Sequence, residues 1–450
     1  MKAHVPSLML AGTGSGCGKT SLSCAILKAL KNRGLSPAAF KCGPDYIDPM
    51  FHRDVIESPS YNLDSFFLDD NTLKYLLWKN SKAAELSIIE CVMGFYDGRG
   101  LLSTEGSSFE ISKITGSPVV LIVDAKGAAL SVLAVLQGFL DFCPENNIKG
   151  VILNRCTAMS YKLLSEEITG RFSGKIRPLG YMPPMPECSL DSRRLGLVSP
   201  EETENIKKKL EALAEQAEKS IDIEGILELS EAAEPLSFEK PVIRSLEKIR
   251  IALARDRAFC FYYEDNLKLL EEMGAEIVEF SPLSDAALPK NIDGLYLGGG
   301  YPEIHAEELS KNKSLLEDIK NSVESGLPTI AECGGFMYLT EAIEAYPMAS
   351  VIKGKSFDTG KLSRFGYITL KAEKDCLLCR AGEKIPAHEF HYYDAEEPGK
   401  DFVASKSGGR SWSCVHSRDT LYAGFPHFHF YANLSFAENF YKACLRRKND

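Results

Sequence analysis

The sequence predicts an α/β protein of two domains, each built on a sheet whose strands alternate with helices. Three observations carry this prediction. Short apolar runs alternate with helical stretches through the first half, a charged helix-forming stretch interrupts them from about Pro200 to Arg244, and the alternation restarts at Lys248. A chain of 450 residues is long enough for two or three domains, and 44% apolar with 25% charged residues is an ordinary globular mixture.

In chain order, Ser7 to Ala11, Ala38 to Lys41, Leu86 to Ile89, Pro118 to Val123 and Gly150 to Leu153 read as buried strands. Thr20 to Lys31 and Ser131 to Phe142 have helical spacing, so the first domain is a parallel sheet with helices on both faces, a doubly wound arrangement. The Glu-, Lys- and Ala-rich stretch then closes in Ala233-Glu234-Pro235 and Lys240-Pro241, which mark a linker. Strands resume at Lys248 to Ala254, Glu276 to Phe280, Gly294 to Leu297 and Leu327 to Ala331, and Phe336 to Ala345 has helical spacing. Beyond Ser350 the runs shorten and become rich in aromatic, Gly, Ser and Thr residues, predicting an antiparallel addition to the second domain.

Charge and cysteine usage exclude several classes. With 52 Lys+Arg against 62 Asp+Glu the net charge is −10, so no global field recruits nucleic acid or an anionic membrane, and a polyanionic substrate needs a local basic pocket. The 13 cysteines form no disulfide-like framework, Met1 to His4 runs straight into a strand, and no apolar run reaches membrane-spanning length; a reducing cytoplasm is expected. Cys376 and Cys379, followed by His388 and His391, have too short a spacing for a four-ligand zinc site, and the two histidines alternate as on a strand.

Two segments carry chemistry. Gly12-Thr13-Gly14-Ser15-Gly16-Cys17-Gly18-Lys19-Thr20 lies between a strand and a helix, where backbone N–H groups can cradle phosphates, Lys19 can reach the outer ones and Thr20 can ligate Mg²⁺. Thr13 stands where the usual pattern has its first glycine, so this is a variant loop. Carboxylates for a Mg-nucleotide site are sought at strand ends, where Asp45 and Glu90 are the candidates and Asp97 follows on the next loop. The second segment, Thr329-Ile330-Ala331-Glu332-Cys333-Gly334-Gly335-Phe336, puts a cysteine on a sharp strand-to-helix turn. A thiol there is expected to lean toward thiolate under the helix dipole, with the following N–H groups free as oxyanion donors.

Taken together with Lys41 to Pro49, Glu90 to Gly98, Asp124-Ala125, Gly150 to Arg155, Arg194 to Leu197, Ala254 to Tyr263 and Tyr296 to Glu303, the phosphate loop gives a series that resembles the cobyrinic acid a,c-diamide synthase family over nearly the whole chain. The resemblance implies a P-loop, dethiobiotin-synthetase-like amide ligase over residues 1–235, a linker at 236–247 and a class I glutamine amidotransferase of the cobalamin-synthesis type over 248–450. It supplies a partner for Cys333 in His427, and oxyanion or glutamine contacts in Gly299, Gly300 and Gly334. Class I relatives often carry an acid two residues after that histidine; here the position is His429, which implies a Cys–His dyad. Where the family has Arg-His-Leu-Gly-Leu, this chain reads Arg193-Arg194-Leu195-Gly196-Leu197, a more basic segment.

The implied activity is that of a carbon–nitrogen ligase: ATP- and glutamine-dependent amidation of the a and c side chains of cobyrinic acid in cobalamin biosynthesis, through an acyl phosphate. Mg²⁺ is assigned to Thr20, Asp45 and Glu90, ATP to Gly12 through Thr20, catalysis to Cys333, His427 and Asp97, and substrate contacts to Lys41, Tyr46, Asp48, Arg193 and Arg194. The expected partners are glutamine and a tetrapyrrole polycarboxylate, not nucleic acid or membrane, and a homodimer stays open. Hydrogenobyrinic acid and Ni-sirohydrochlorin are alternative acceptors; cobyric acid synthase fits the Lys41 to Pro49 and Glu90 to Gly98 segments less well. From another class, a nucleotide-switched regulatory protein would keep the P-loop with an inert amidotransferase fold, against which an intact Cys333 and His427 count.

Overall fold

The computed structural model describes residues 1–100, 102–190 and 200–449. It divides into two compact units, Met1–Pro241 and Val242–Asp450.

The first unit is a seven-stranded, wholly parallel sheet. Its strands are β1 (Ser7–Gly12), β2 (Pro37–Cys42), β3 (Ser60–Leu63), β4 (Leu86–Glu90), β5 (Val119–Asp124), β6 (Ile148–Asn154) and β7 (Arg177–Met182), in the order β3-β2-β4-β1-β5-β6-β7. Both faces are covered, which is why the central strands are apolar throughout rather than alternating. The covering helices are α1 (Lys19–Asn32), α2 (Ile47–Asp54), α3 (Asp70–Asn80), α4 (Ser108–Thr115), α5 (Ser131–Phe142), α6 (Ala158–Arg171), α7 (Pro200–Ser220) and α8 (Ile223–Glu231). Leu22, Ile26 and Leu30 of α1 join Leu210, Leu213 and Ala217 of α7 in the buried core. β1 lies between β4 and β5, so the carboxyl ends of three adjacent strands open onto the loop before α1, the usual ligand crevice of such sheets.

This unit extends past the expected boundary at residue 235. Leu236–Ser237 pairs antiparallel with Lys2–Ala3, the Met1 ammonium donates to the Phe238 carbonyl at 2.6 Å, and the Phe238 ring packs on Tyr75 and Trp78. Residues 236–238 are therefore held by the first unit and are not free linker.

The second unit has a six-stranded sheet of β8 (Ile249–Ala254), β9 (Ala275–Phe280), β10 (Gly294–Leu297), β11 (Thr329–Glu332), β16 (His416–Arg418) and β17 (Leu421–Gly424) in the order β9-β8-β10-β11-β17-β16, parallel except at the β16 edge. Its helices are α9 (Glu264–Met273), α10 (Ala306–Lys311), α11 (Lys313–Glu324), α12 (Gly334–Leu339) and α13 (Leu434–Asn449). The antiparallel addition is a five-stranded sheet of β12 (Arg364–Ala372), β13 (Lys384–His391), β14 (Phe402–Ser405), β15 (Ser411–Cys414) and β18 (His427–Phe428), ordered β15-β14-β12-β13-β18. The helical spacing from Phe336 to Ala345 is realised only as far as Leu339. Thr340 turns its hydroxyl back to the Met337 carbonyl at 2.7 Å, and Ala342–Ile343 then enters a small sheet, so the helix ends after six residues.

Candidate active site

In the first unit the phosphate loop is built by close backbone packing. Gly18 caps α1 at φ 95°, a left-handed conformation, and a Cβ there would lie 2.0 Å from the Asn154 amide, which itself donates to the Cys17 carbonyl at 2.8 Å. Only glycine fits between loop and β6. The Lys19 ammonium is buried and donates to the Gly14 carbonyl at 2.9 Å and the Met93 carbonyl at 2.5 Å, so it spans the loop mouth from α1 to the segment after β4. That segment is pinned by Phe95 N–H to the Gly12 carbonyl at 2.9 Å. Asp97 is exposed and accepts from Gly94 N–H at 2.8 Å, which shapes the turn presenting Met93 to Lys19.

Thr20 and Glu90 are brought together: the Thr20 hydroxyl donates to Glu90 Oε1 at 2.6 Å. Glu90 and Lys41 are register partners on β4 and β2, with Lys41 Nζ 2.7 Å from Glu90 Oε1 and 2.6 Å from Asp48 Oδ2, all three side chains buried. His52 Nε2 lies 3.3 Å from Glu90 Oε2. Burial alone would push the Glu90 carboxyl up, but Lys41 and then His52 outweigh it and hold the group well below the usual carboxylate range. For Lys41, burial acts against the charge, and Glu90, Asp48 and Asp45 together overcome it. Asp45 is placed differently from Thr20 and Glu90. Its Oδ1 accepts from the Ile47 and Asp48 N–H groups at 2.8 and 3.2 Å, closing the start of α2, and Tyr46 beside it is buried. Arg193 and Arg194 lie outside the described residues.

Among the described residues no three His, Cys, Asp or Glu side chains gather closely enough to enclose a metal. The adjoining Thr20 hydroxyl and Glu90 carboxylate are nonetheless a hard oxygen pair that suits Mg²⁺, an ion that takes one or two protein oxygens and completes its shell with phosphates and water.

In the second unit Cys333 forms the elbow between β11 and α12 at φ 50°, a conformation costly for a residue with a Cβ, held by its N–H to the Gly424 carbonyl at 2.7 Å and by Gly335 N–H to the Gly298 carbonyl at 2.9 Å. The expected lean toward thiolate is not what the fold provides. Burial first, and then Glu303, push the Cys333 thiol far up, opposed by the Gly334 N–H, and a six-residue helix adds little dipole. The thiol therefore needs a base.

His427 is buried beside this elbow. Its Nδ1 lies 3.2 Å from Glu332 Oε2, and its ring stacks on His388 with centroids 5.1 Å apart. Gly299 makes room for it, since a Cβ at 299 would come within 2.6 Å of His427 Cε1 and 3.2 Å of Nε2. A Cβ at Gly334 would lie 2.9 Å from Pro302 Cδ and 3.2 Å from Gly300 N, so Gly299, Gly300, Gly334 and His427 form one continuous surface. His429 serves the next turn, its Nδ1 accepting from Tyr431 N–H at 3.3 Å. His391 bonds Glu389 at 3.2 Å and the Tyr393 carbonyl at 2.5 Å, while the Cys376 and Cys379 sulfurs lie 3.7 Å apart.

Two family models match these two units: one described as a CobQ/CobB/MinD/ParA nucleotide binding domain over residues 8–196, and one as a CobB/CobQ-like glutamine amidotransferase domain over residues 250–434. The chain is 41% identical over 446 residues to a cobyrinate a,c-diamide synthase of Caldanaerobacter subterraneus subsp. tengcongensis, spanning 97% of this chain and 98% of that one. It is 40% identical over 438 residues to the protein of that name from Clostridium acetobutylicum, and 39% identical over 457 residues to that from Priestia megaterium, again over at least 96% of each chain. The chain belongs to the cobyrinate a,c-diamide synthase family. As a member it is an enzyme of the amidotransferase ligase type, with its phosphate loop in the nucleotide-binding half and Cys333 in the glutamine amidotransferase half.

Sequence reasoning assigned no role to three residues of this synthase-family fold: His52, which faces Glu90, and His388 and Glu332, which face His427. Glu332 had a visible signal, being an acid at the end of a short, fully buried strand. A carboxylate in that position needs a partner.

Proposed function

We propose that this protein amidates the a and c side-chain carboxylates of cobyrinic acid, taking nitrogen from glutamine and driving each step with ATP. The observation that carries the reading is the near end-to-end likeness to cobyrinate a,c-diamide synthases in a chain that keeps both the phosphate loop and the Cys333 elbow.

A carboxylate is a poor acceptor for ammonia until one oxygen becomes a leaving group. In the first unit, Gly12 through Thr20 hold the nucleotide phosphates, and Lys19 turns from the Gly14 and Met93 carbonyls to the transferred phosphoryl group. Mg²⁺ held by Thr20 and Glu90, with Asp45 through its second carboxylate oxygen, would neutralise charge on the outer phosphates. Lys41, Tyr46, Asp48, Arg193 and Arg194 are the residues the family resemblance assigns to the polycarboxylate, with Asp97 for its positioning or for the acyl-phosphate chemistry. The product is an acyl phosphate on the substrate and ADP.

In the second unit the Cys333 sulfur attacks the side-chain carbonyl carbon of glutamine. The thiol proton passes to His427 Nε2 and on to the departing nitrogen, so a C–S bond replaces the C–N bond and ammonia leaves. The N–H groups of Gly334 and the Gly299–Gly300 strand receive the developing oxyanion. Water activated by His427 then releases glutamate, and the ammonia displaces phosphate from the acyl phosphate to give the amide.

Cobyrinic acid, hydrogenobyrinic acid and Ni-sirohydrochlorin offered in parallel with ATP and glutamine, with products read by mass spectrometry, test the substrate. A diamide from cobyrinic acid in preference to the others supports the reading. A diamide only from another macrocycle replaces the substrate, and glutamate release from none points to a switch protein.

A further inference from the structure

We infer that Glu332 is a positioning residue of the glutamine site, fixing the tautomer and orientation of His427 in the place of the acid that class I relatives carry two residues after the histidine. The inference rests on the glutaminase reading given above. Glu332 Oε2 lies 3.2 Å from His427 Nδ1, and the two side chains are only 2% and 4% exposed. A carboxylate at Nδ1 places the imidazole proton there and leaves Nε2, the nitrogen on the Gly299 side, as the base.

Chain connectivity makes the pairing precise. Glu332 ends β11 and is bonded directly to Cys333, while Glu332 and Gly424 are register partners of β11 and β17, and His427 follows Gly424 by a short turn. One strand end thus carries both the nucleophile and the group that aims its base. His429, at the position where relatives have an acid, is bonded instead to Tyr431 N–H.

Glu332 meets the His427 ring as a buried carboxylate. On β13, His388 stacks on the His427 ring and is kept neutral by burial, with its Nδ1 3.3 Å from the Tyr263 hydroxyl. The buried phenols of Tyr296 on β10 and Tyr422 on β17 lie near Glu332. Burial pushes the Glu332 carboxyl up overall, and the His427 contact works against that rise without cancelling it.

Glu332→Gln and Glu332→Asp in the full-length protein test this, with glutamate release measured across pH and ammonium-dependent amidation as the control. In Glu332→Gln, kcat for glutamine hydrolysis is expected to fall about 10²–10⁴-fold with little change in KM. The acidic limb of its kcat/KM profile should move to lower pH, because the imidazolium loses its counter-charge, while ammonium-dependent amidation stays at the wild-type rate. Glu332→Asp keeps the charge, so its acidic limb should stay in place with a smaller loss of kcat. A wild-type rate and profile in Glu332→Gln overturns the proposal. So does a loss of rate with no shift of the limb, which is what a merely structural residue would give. If Glu332→Gln also loses ammonium-dependent activity through misfolding, the ¹⁵N chemical shifts of the His427 ring in the wild-type protein decide: a proton on Nδ1 with Nε2 bare upholds the proposal, and a proton on Nε2 with Nδ1 bare overturns it. Wild-type protein that releases no glutamate at all removes the glutaminase reading itself, an outcome distinct from the others.

Discussion

Lys41 and Glu90 face each other as register partners on adjacent parallel strands, with Nζ 2.7 Å from Oε1 and both side chains at most 5% exposed. This pair is the electrostatic floor of the nucleotide-binding crevice. Glu90 carries the Thr20 hydroxyl on the same oxygen, so the charge of Lys41 is tied to the end of the phosphate loop.

Removing one partner leaves the other charged and buried. Lys41→Met is therefore expected to destabilise the first unit by about 3–5 kcal/mol in urea unfolding, the scale for a broken buried pair. Because the Glu90 carboxyl is held below its ordinary range by the fold, its contribution is fully present above that ordinary range. It is lost as pH falls through the depressed value, so the difference between wild type and Glu90→Gln should shrink in strong acid.

Lys19→Ala removes the ammonium that bridges the Gly14 and Met93 carbonyls. ATP-dependent amide formation should fall at least about 10²-fold, as for loss of one preorganised charge-stabilising donor. Trapping of a thioester at Cys333 should survive, and normal amidation by this variant would remove the loop from the mechanism.

Cys333→Ala should abolish amidation with glutamine and leave amidation with added ammonium intact. Loss of both in a folded variant would show that the two half-reactions are not separable. In the wild type without glutamine, the thiol raised by burial should alkylate slowly at neutral pH and faster as pH rises into the alkaline range.

Gly299→Ala places a methyl group 2.6 Å from His427 Cε1. The ring must shift, so glutamine hydrolysis is expected to drop about 10²-fold, the scale for a misplaced catalytic group, with ammonium-dependent activity unaffected. Steady-state rates with the two nitrogen donors check this.

Much of this architecture is legible in the sequence because burial on both faces leaves long apolar runs. β1, β2, β4, β5 and β6 fall where those runs are, and Ser131–Phe142 and Gly294–Leu297 fall on their sequence boundaries. β3 hides because it is half polar: Asn62 is buried, but its amide is spent on the Gly43 and Asp45 carbonyls, a tertiary contact no periodicity shows. β7 hides behind the Arg177-Pro178 start of an edge strand. At the site, the cysteine elbow and the phosphate loop are local motifs and are readable. The Glu332–His427 bond joins residues 95 apart, and the Lys41–Glu90–His52 cluster depends on strand order; neither has a local pattern. The thiol's environment has no local pattern either, since burial and the charge of Glu303 are set by the whole unit.

Under the proposed function, two nitrogens pass from glutamine to cobyrinic acid at the expense of ATP. Purified protein incubated with cobyrinic acid, ATP, Mg²⁺ and glutamine labelled with ¹⁵N on the side-chain amide, followed by mass spectrometry of the corrinoid, measures this directly. A product carrying two labelled nitrogens is expected, formed only when both ATP and glutamine are present. Unchanged cobyrinic acid alongside active glutamine hydrolysis, or amidation that proceeds without ATP, would contradict it.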